Sequence, residues 1–486
     1  MGHSKAGSQT QTAGSAADAL VYRDARLLAG QVAAGSLSAR EVMTAFLQRI
    51  EACNPVVNAI CTLLPAEQAL ALADAADRQR LAGAAMGPLH GLPIAVKDLA
   101  ATRGMRTTMG SPIFADNIPE QDSLLVQRLR AAGALVIGKT NTPEFGTGSH
   151  TFNPLFGITR NPWDTGKSAG GSSGGAAAAL ACGMLPLADG SDMGGSLRNP
   201  AAFCNVVGFR PSMGRVPHWP NTMAWQSRLG VEGPMARTVE DCALLLSVLA
   251  GPDERDPLSI QENPAQFRQG LEYDFSGARI GWTPDLGILP VEREVVEVCA
   301  ATIPHWRDCG FEIEEACPDL EGAMDCFKVL RASFYAQLAG PLLATHRELM
   351  KDTLIENIEA GLRLAATDIT AADARRTQLY LRVLAFFEHH DFLLLPSTQV
   401  NPFPVEQEWV TDIEGHSLSS YLDWMSICCI ITLFGLPAIS VPCGFTPEGL
   451  PVGIQIVGKP RADLQVLRAA HALEQATGHG RRRPPL

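Results

Sequence analysis

Residues 166–200 hold two serine sites set among glycines, Gly170-Gly171-Ser172-Ser173-Gly174-Gly175 and Asp192-Met193-Gly194-Gly195-Ser196. Glycine lets successive backbone N–H groups turn toward one oxygen, and a serine that ends such a run is placed as a nucleophile beside an oxyanion hole. The chemistry this points to is acyl transfer. A flexible Gly/Ser linker has the same composition. A linker would not be followed at once by regular elements, however. Ala176–Cys182 reads as a short alanine-rich helix stopped by Gly183, and Leu185–Ala188 reads as a short buried strand. Loop, helix and strand would let the chain fold back and bring the two serine sites together.

The elements around this stretch describe an α/β protein. Upstream, Pro88-Leu89-His90-Gly91-Leu92-Pro93 leads into Ile94–Val96, a short buried strand with Lys97 at its end. On this segment alone an ordinary surface lysine closing a strand fits equally well. An amphipathic helix over Asp122–Ala132 and a strand over Ala134–Ile137 complete a βαβ pattern, which argues for a largely parallel sheet. Gly133–Thr140 matches G-x-x-x-x-G-K-T letter for letter. Its four intervening residues are apolar and β-prone, so they form a strand and leave no loop to cradle phosphate.

Ser38-Ala39-Arg40-Glu41 predicts a capping box for a helix ending near Asn54-Pro55, and further helices are expected over Ala66–Arg80 and Thr238–Ala250. Strand patterns return at Phe392–Leu395, Ala438–Val441 and Val452–Val457, before a last helix over Asp463–Glu474. The sheet-forming segments flank residues 254–390 on both sides. The expected organisation is therefore a single domain over 18–480, with 254–390 a mostly helical elaboration. Residues 1–17, polar and rich in Ser, Gly and Gln, read as a disordered tail.

Composition narrows the function classes. The 486 residues carry a net charge of −12, which does not favour a nucleic-acid partner. Twelve cysteines include no C-x-x-C, and no secretory segment opens the chain. Both features fit a reducing cytoplasm. No run of 18 apolar residues exists, so no membrane span is expected. Glu388-His389-His390 is not spaced as a zinc motif, and no metal site is assigned.

GGSSGG followed by GSDMGGSLRNPAAFCNVVGFRPS resembles the core of the amidase signature family. PLHGLPIAVKD resembles that family's lysine segment, and DFLLLPST, GLPAISVPCGF and GLPVGIQIVG resemble its later segments. The likeness covers roughly 38–250 and 390–475. It implies the amidase signature fold, a large mixed, mostly parallel twisted sheet covered by helices on both faces. It also implies amide hydrolysis by a Ser–cis-Ser–Lys triad without metal or organic cofactor. By position, Ser196 matches the nucleophile, Ser172 the bridging serine after a cis peptide, and Lys97 the base. Met193, Gly194, Gly195 and Ser196 match the oxyanion-hole amides, and Ser173, Ser191, Asp192 and Arg198 match bracing positions. Met193 stands where Ile or Thr is common, and Ala169 where Pro is common. Neither change removes a catalytic atom.

The implied roles make physical sense. A serine hydroxyl needs a base, and no histidine lies in the central stretch. A lysine of ordinary pKa, about 10.4, serves only if burial or a nearby cation brings it toward ~7–8. The expected activity is hydrolysis of small-molecule amides, aryl amides first, with carbamates (urethanes) and esters as related acyl substrates. A monomer or homodimer would suffice for it. The alternative within the family is the glutaminase subunit of a tRNA-dependent amidotransferase, which would need partner subunits. For the substrate pocket, Gln399 and Phe434 are the expected lining residues.

Overall fold

Two separate sheets divide the chemistry-bearing residues between them. The structure, a computed structural model, describes residues 16–226 and 229–486. Most of the tail expected over 1–17 thus lies outside the described residues, and Ala16 opens a short helix, Ala16–Val21.

The smaller sheet contains β1 (Ile60–Leu63), β2 (Pro93–Lys97) and β3 (Leu135–Thr140), in the order β1-β3-β2. β2 and β3 are parallel, as a βαβ unit requires, and helix Leu124–Ala131 connects them. Gly138, Lys139 and Thr140 lie inside β3, with Lys139 opposite Val96. The apolar run before them made a strand, so the phosphate-loop pattern has no loop.

The larger sheet contains β4 (Leu187–Asp192), β5 (Val207–Arg210), β6 (Val231–Ala236), β7 (Arg279–Trp282), β8 (Glu312–Glu315), β9 (Phe392–Pro396), β10 (Ala438–Phe445) and β11 (Pro451–Gly458). Their order is β8-β7-β9-β11-β10-β5-β6-β4. The mixed sheet with helices agrees with expectation, but the strand directions correct it. Only the β7–β8 and β7–β9 pairs are parallel here, and every other pairing is antiparallel. The cause is local. β10 and β11 are joined by a tight turn closed by Leu450 O and Thr446 N–H at 2.9 Å, and such short links permit only antiparallel pairing.

Three further boundaries differ from the sequence reading. The strand expected over Leu185–Ala188 instead runs to Asp192. Its polar second half is held by partners in the site, which no alternation of apolar residues could signal. Helix Ala39–Val57 passes through Pro55 and stops at Asn58, which takes the left-handed conformation (φ 52°) and donates its N–H to Asn54 O. Residues 254–390 are not only helical. They supply β7 and β8 as well as the long helices Ala323–His346 and Ala366–Phe387.

One continuous apolar cluster draws residues from Val21 to Leu473, and a second gathers Phe203, Phe327, Leu393, Trp424 and Ile427–Leu433. The site lies where these packed layers and the small sheet meet. No helix among the described residues is long and apolar enough to cross a membrane.

Candidate active site

Lys97 closes β2 with 1% of its surface exposed. Its ammonium donates to three seryl oxygens: Ser172 Oγ at 2.7 Å, Ser173 Oγ at 2.8 Å and Ser191 Oγ at 3.0 Å. Three donors meet three acceptors, which satisfies an ammonium in full. Burial pushes its pKa down to about 7, against the opposing pull of Asp189, Asp192 and Glu232. A surface lysine closing a strand is therefore excluded.

Ser172 follows a cis peptide bond from Gly171. The surrounding loop holds it in place. Ser149 Oγ donates to Gly171 O at 2.5 Å, Thr151 Oγ1 donates to Gly170 O at 2.9 Å, and Asn199 Nδ2 reaches Ser149 Oγ at 2.8 Å. Ser173 stands just before helix Gly174–Ala181, and its N–H donates to Ser196 O at 3.3 Å. That bond ties the two serine sites together, as folding back of the chain demands. The Ser196 hydroxyl itself makes no hydrogen bond among the described residues, and Ser196 is 8% exposed. Its Oγ is thus neither tied down nor sealed from an incoming substrate.

Ser196 sits between β4 and helix Arg198–Cys204, in a turn organised by Asp192. The Asp192 carboxylate accepts Gly195 N–H at 3.0 Å and Leu197 N–H at 3.1 Å. Arg198 meets it through Nε at 3.0 Å and Nη2 at 2.9 Å, and Arg210 through Nη1 at 3.2 Å. All three side chains are fully buried. Burial alone would raise the Asp192 carboxyl, but Arg198 and Arg210 outweigh it and hold it well below the usual carboxylate range. Arg198 spans onward to Gln455 Oε1 at 3.0 Å and Thr432 Oγ1 at 2.9 Å, so β11 and helix Ser426–Leu433 also brace the turn.

The same bonds refine the expected oxyanion hole. Gly195 N–H is already taken by Asp192. Of the four amides expected, only those of Met193, Gly194 and Ser196 have no hydrogen-bond partner among the described residues. Gly195 has a different necessity. Its φ is 101°, and a Cβ there would lie 2.6 Å from Cys428 Cβ, so only glycine fits the turn.

Both residues expected to line the pocket are buried. Gln399 is fully buried, accepting Ile427 N–H at 3.0 Å and donating to Pro290 O at 3.0 Å. Its amide is spent on tying loops together. Phe434 packs in the second apolar cluster. Other apolar side chains gather near Ser172. Gly146 approaches Ser172 so closely that a Cβ on it would be 3.4 Å from Ser172 Oγ. Its neighbour Phe145 belongs to an apolar group with Tyr335, Met109, Phe114, Met193 and Phe334. Arg331, 3% exposed, adds donors to Met193 Sδ at 3.1 Å and Tyr421 OH at 2.9 Å. Tyr335, Phe334 and Arg331 lie in the 254–390 segment, where residue pattern alone gave no means of choosing among many aromatic side chains. Ser149 and Thr151 were equally silent, being polar residues in a loop.

Comparison with known proteins shows the family. The family model for Amidase matches residues 41–467. An acylamidase of Rhodococcus erythropolis is 39% identical over 466 residues, covering 94% of this chain and 95% of that protein. A glutamyl-tRNA(Gln) amidotransferase subunit of Symbiobacterium thermophilum is 39% identical over 484 residues, covering 93% of this chain and 96% of that protein. A bacterial aryl acylamidase of known structure superposes with a TM-score of 0.88 at 30% identity, over 95% of this chain and 97% of that one. The chain belongs to the amidase family and is a hydrolase of amides.

Proposed function

We propose that the chain hydrolyses aryl amides through an acyl-enzyme on Ser196, with Lys97 as base and Ser172 as relay. The observation that carries this reading is the Lys97 amine, buried among three seryl hydroxyls with a pKa near 7. Once Lys97 loses a proton, its nitrogen can accept the Ser172 hydroxyl proton. Ser172 Oγ can then accept the proton of Ser196. Ser196 Oγ attacks the amide carbon, and the developing oxyanion is met by the amides of Met193, Gly194 and Ser196. The proton held by Lys97 returns through Ser172 to the leaving nitrogen, and the C–N bond breaks. Water, activated along the same path, releases the acid and restores Ser196.

The apolar group of Met109, Phe114, Phe145, Met193, Phe334 and Tyr335, which reaches the serines through Gly146 beside Phe145, supports an aromatic group near the scissile bond. Carbamates fit the same attack, with carbon dioxide lost after hydrolysis. The test is a matched panel of p-nitroanilide, aryl carbamate, aryl ester and glutamine, given to the purified chain alone. Anilide turnover at least about tenfold above glutamine turnover is expected. Glutamine hydrolysis appearing only with amidotransferase partner subunits, and no anilide turnover, would overturn the reading.

Two further results are expected. Because only neutral Lys97 can act as base, kcat/KM should rise with pH through about 7 to a plateau. A profile flat from pH 5 to 9 would contradict the assignment. Ser172→Ala should cut kcat by about 10²–10⁴-fold while the melting temperature changes little, and a loss of less than threefold would remove the relay.

A further inference from the structure

β2 and β4 each end their sheet, and they meet edge to edge without a shared ladder. Side chains join them. Asp189 of β4, 2% exposed, accepts the backbone N–H of Lys97 on Oδ1 at 3.0 Å. Alternate residues of a strand share a face, so Asp189 and Ser191 project the same way from β4. Lys97 is thus fixed at both ends along that face, its backbone at Asp189 and its Nζ at Ser191 Oγ. Gly190 between them has no side chain, and a Cβ there would stand 2.7 Å from Ser173 Oγ.

We propose that Asp189 is a positioning residue of the hydrolytic site, which registers the lysine-bearing strand against the serine-bearing one and whose charge holds a proton on the Lys97 amine. The inference rests on Lys97 acting as the base. A side chain without an acceptor at position 189 would leave an edge N–H of β2 unpaired in a buried seam. The misplacement matters most, because Lys97 Nζ must keep contact with Ser172.

The charge acts in a crowded setting. Asp189 and Asp192 of β4 and Glu232 of β6 face the Lys97 amine. Lys97, Lys139 of β3 and Glu232 face Asp189. Burial raises the Asp189 carboxyl to about 6, with the Lys97 N–H and Lys139 pulling it down. An anion there favours the ammonium, so removing it should free the amine at lower pH.

The experiment compares the wild type, D189N and D189A, each checked by thermal melt. The rate of Ser196 labelling by a serine-directed fluorophosphonate is measured from pH 5 to 9, beside kcat/KM for an anilide. Asparagine keeps an acceptor for the Lys97 N–H and loses the charge. Its acidic limb should move down by about half a pH unit or more, with the plateau largely kept. Alanine loses both, and its plateau should fall on the order of 10²-fold. A D189N limb that stays in place or moves up, or a D189A plateau equal to that of D189N, overturns the inference. Failure of the wild type to label at Ser196 would instead overturn the hydrolytic reading itself. Should both variants fail to fold, hydrogen exchange in the wild type decides: the Lys97 amide should be protected, and exchange at the rate of an open strand edge overturns the inference.

Discussion

Ser196→Ala should leave a folded protein whose amide turnover has fallen at least about 10⁴-fold. The expectation comes from what the hydroxyl does and does not hold up. Ser196 Oγ makes no hydrogen bond among the described residues, whereas Ser196 O accepts Ser173 N–H at 3.3 Å and Asp192 organises the turn through Gly195 and Leu197. Those bonds survive the substitution. Stability should change by no more than about 0.5–1 kcal/mol, while the nucleophile is gone. Residual turnover would come from binding and oxyanion stabilisation alone. Steady-state kinetics with an anilide, beside a urea melt, checks both halves. Activity within about tenfold of wild type would remove Ser196 as nucleophile.

Asp192→Ala should produce the opposite pattern, a protein damaged in stability before chemistry is considered. Removing the carboxylate strands Arg198 and Arg210, both fully buried, without their shared anion. It also leaves Gly195 and Leu197 N–H groups without acceptors. Breaking a buried ion pair on one side costs about 3–5 kcal/mol, and here two cations lose one partner. The urea midpoint should fall by an amount equivalent to at least about 3 kcal/mol, with activity lost because the Ser196 turn collapses. Asp192→Asn should fall between, since its one remaining oxygen still accepts one of the two backbone N–H groups. An Asp192→Ala midpoint equal to that of wild type would show that the cluster does not hold the turn.

The contrast explains what can be read from the residues and what cannot. Chemistry concentrated in one stretch is legible because glycines have few other reasons to flank serine within a close-packed run. The serine sites at 172 and 196 and the lysine at 97 carry the family likeness directly, and the structure gathers Lys97, Ser172, Ser173 and Ser191 within hydrogen-bond reach. Helix Ala39–Val57 is legible from its capping box, which forms in both directions. The polar end of β4 is not legible, because Asp189 and Ser191 find Lys97 on a distant strand and Asp192 adds Arg210 to its neighbours in the turn, and tertiary contacts override local pattern there. Strand direction escapes the sequence because the βαβ unit at residues 93–140 belongs to its own small sheet and says nothing about the large one. The role of Gln399 is hidden for a related reason: position near a strand end does not tell which way a side chain points, and its amide ties loops together.

The central claim is that a neutral Lys97 activates Ser196, and its most direct test is the pH dependence of covalent labelling. A fluorophosphonate should modify Ser196, located by peptide mass analysis, at a rate that rises through a single ionisation near pH 7 and falls at least about 10³-fold in Lys97→Met. Labelling of Ser196 that proceeds equally fast in Lys97→Met, or that titrates only near the pH of an ordinary exposed lysine, would contradict the account.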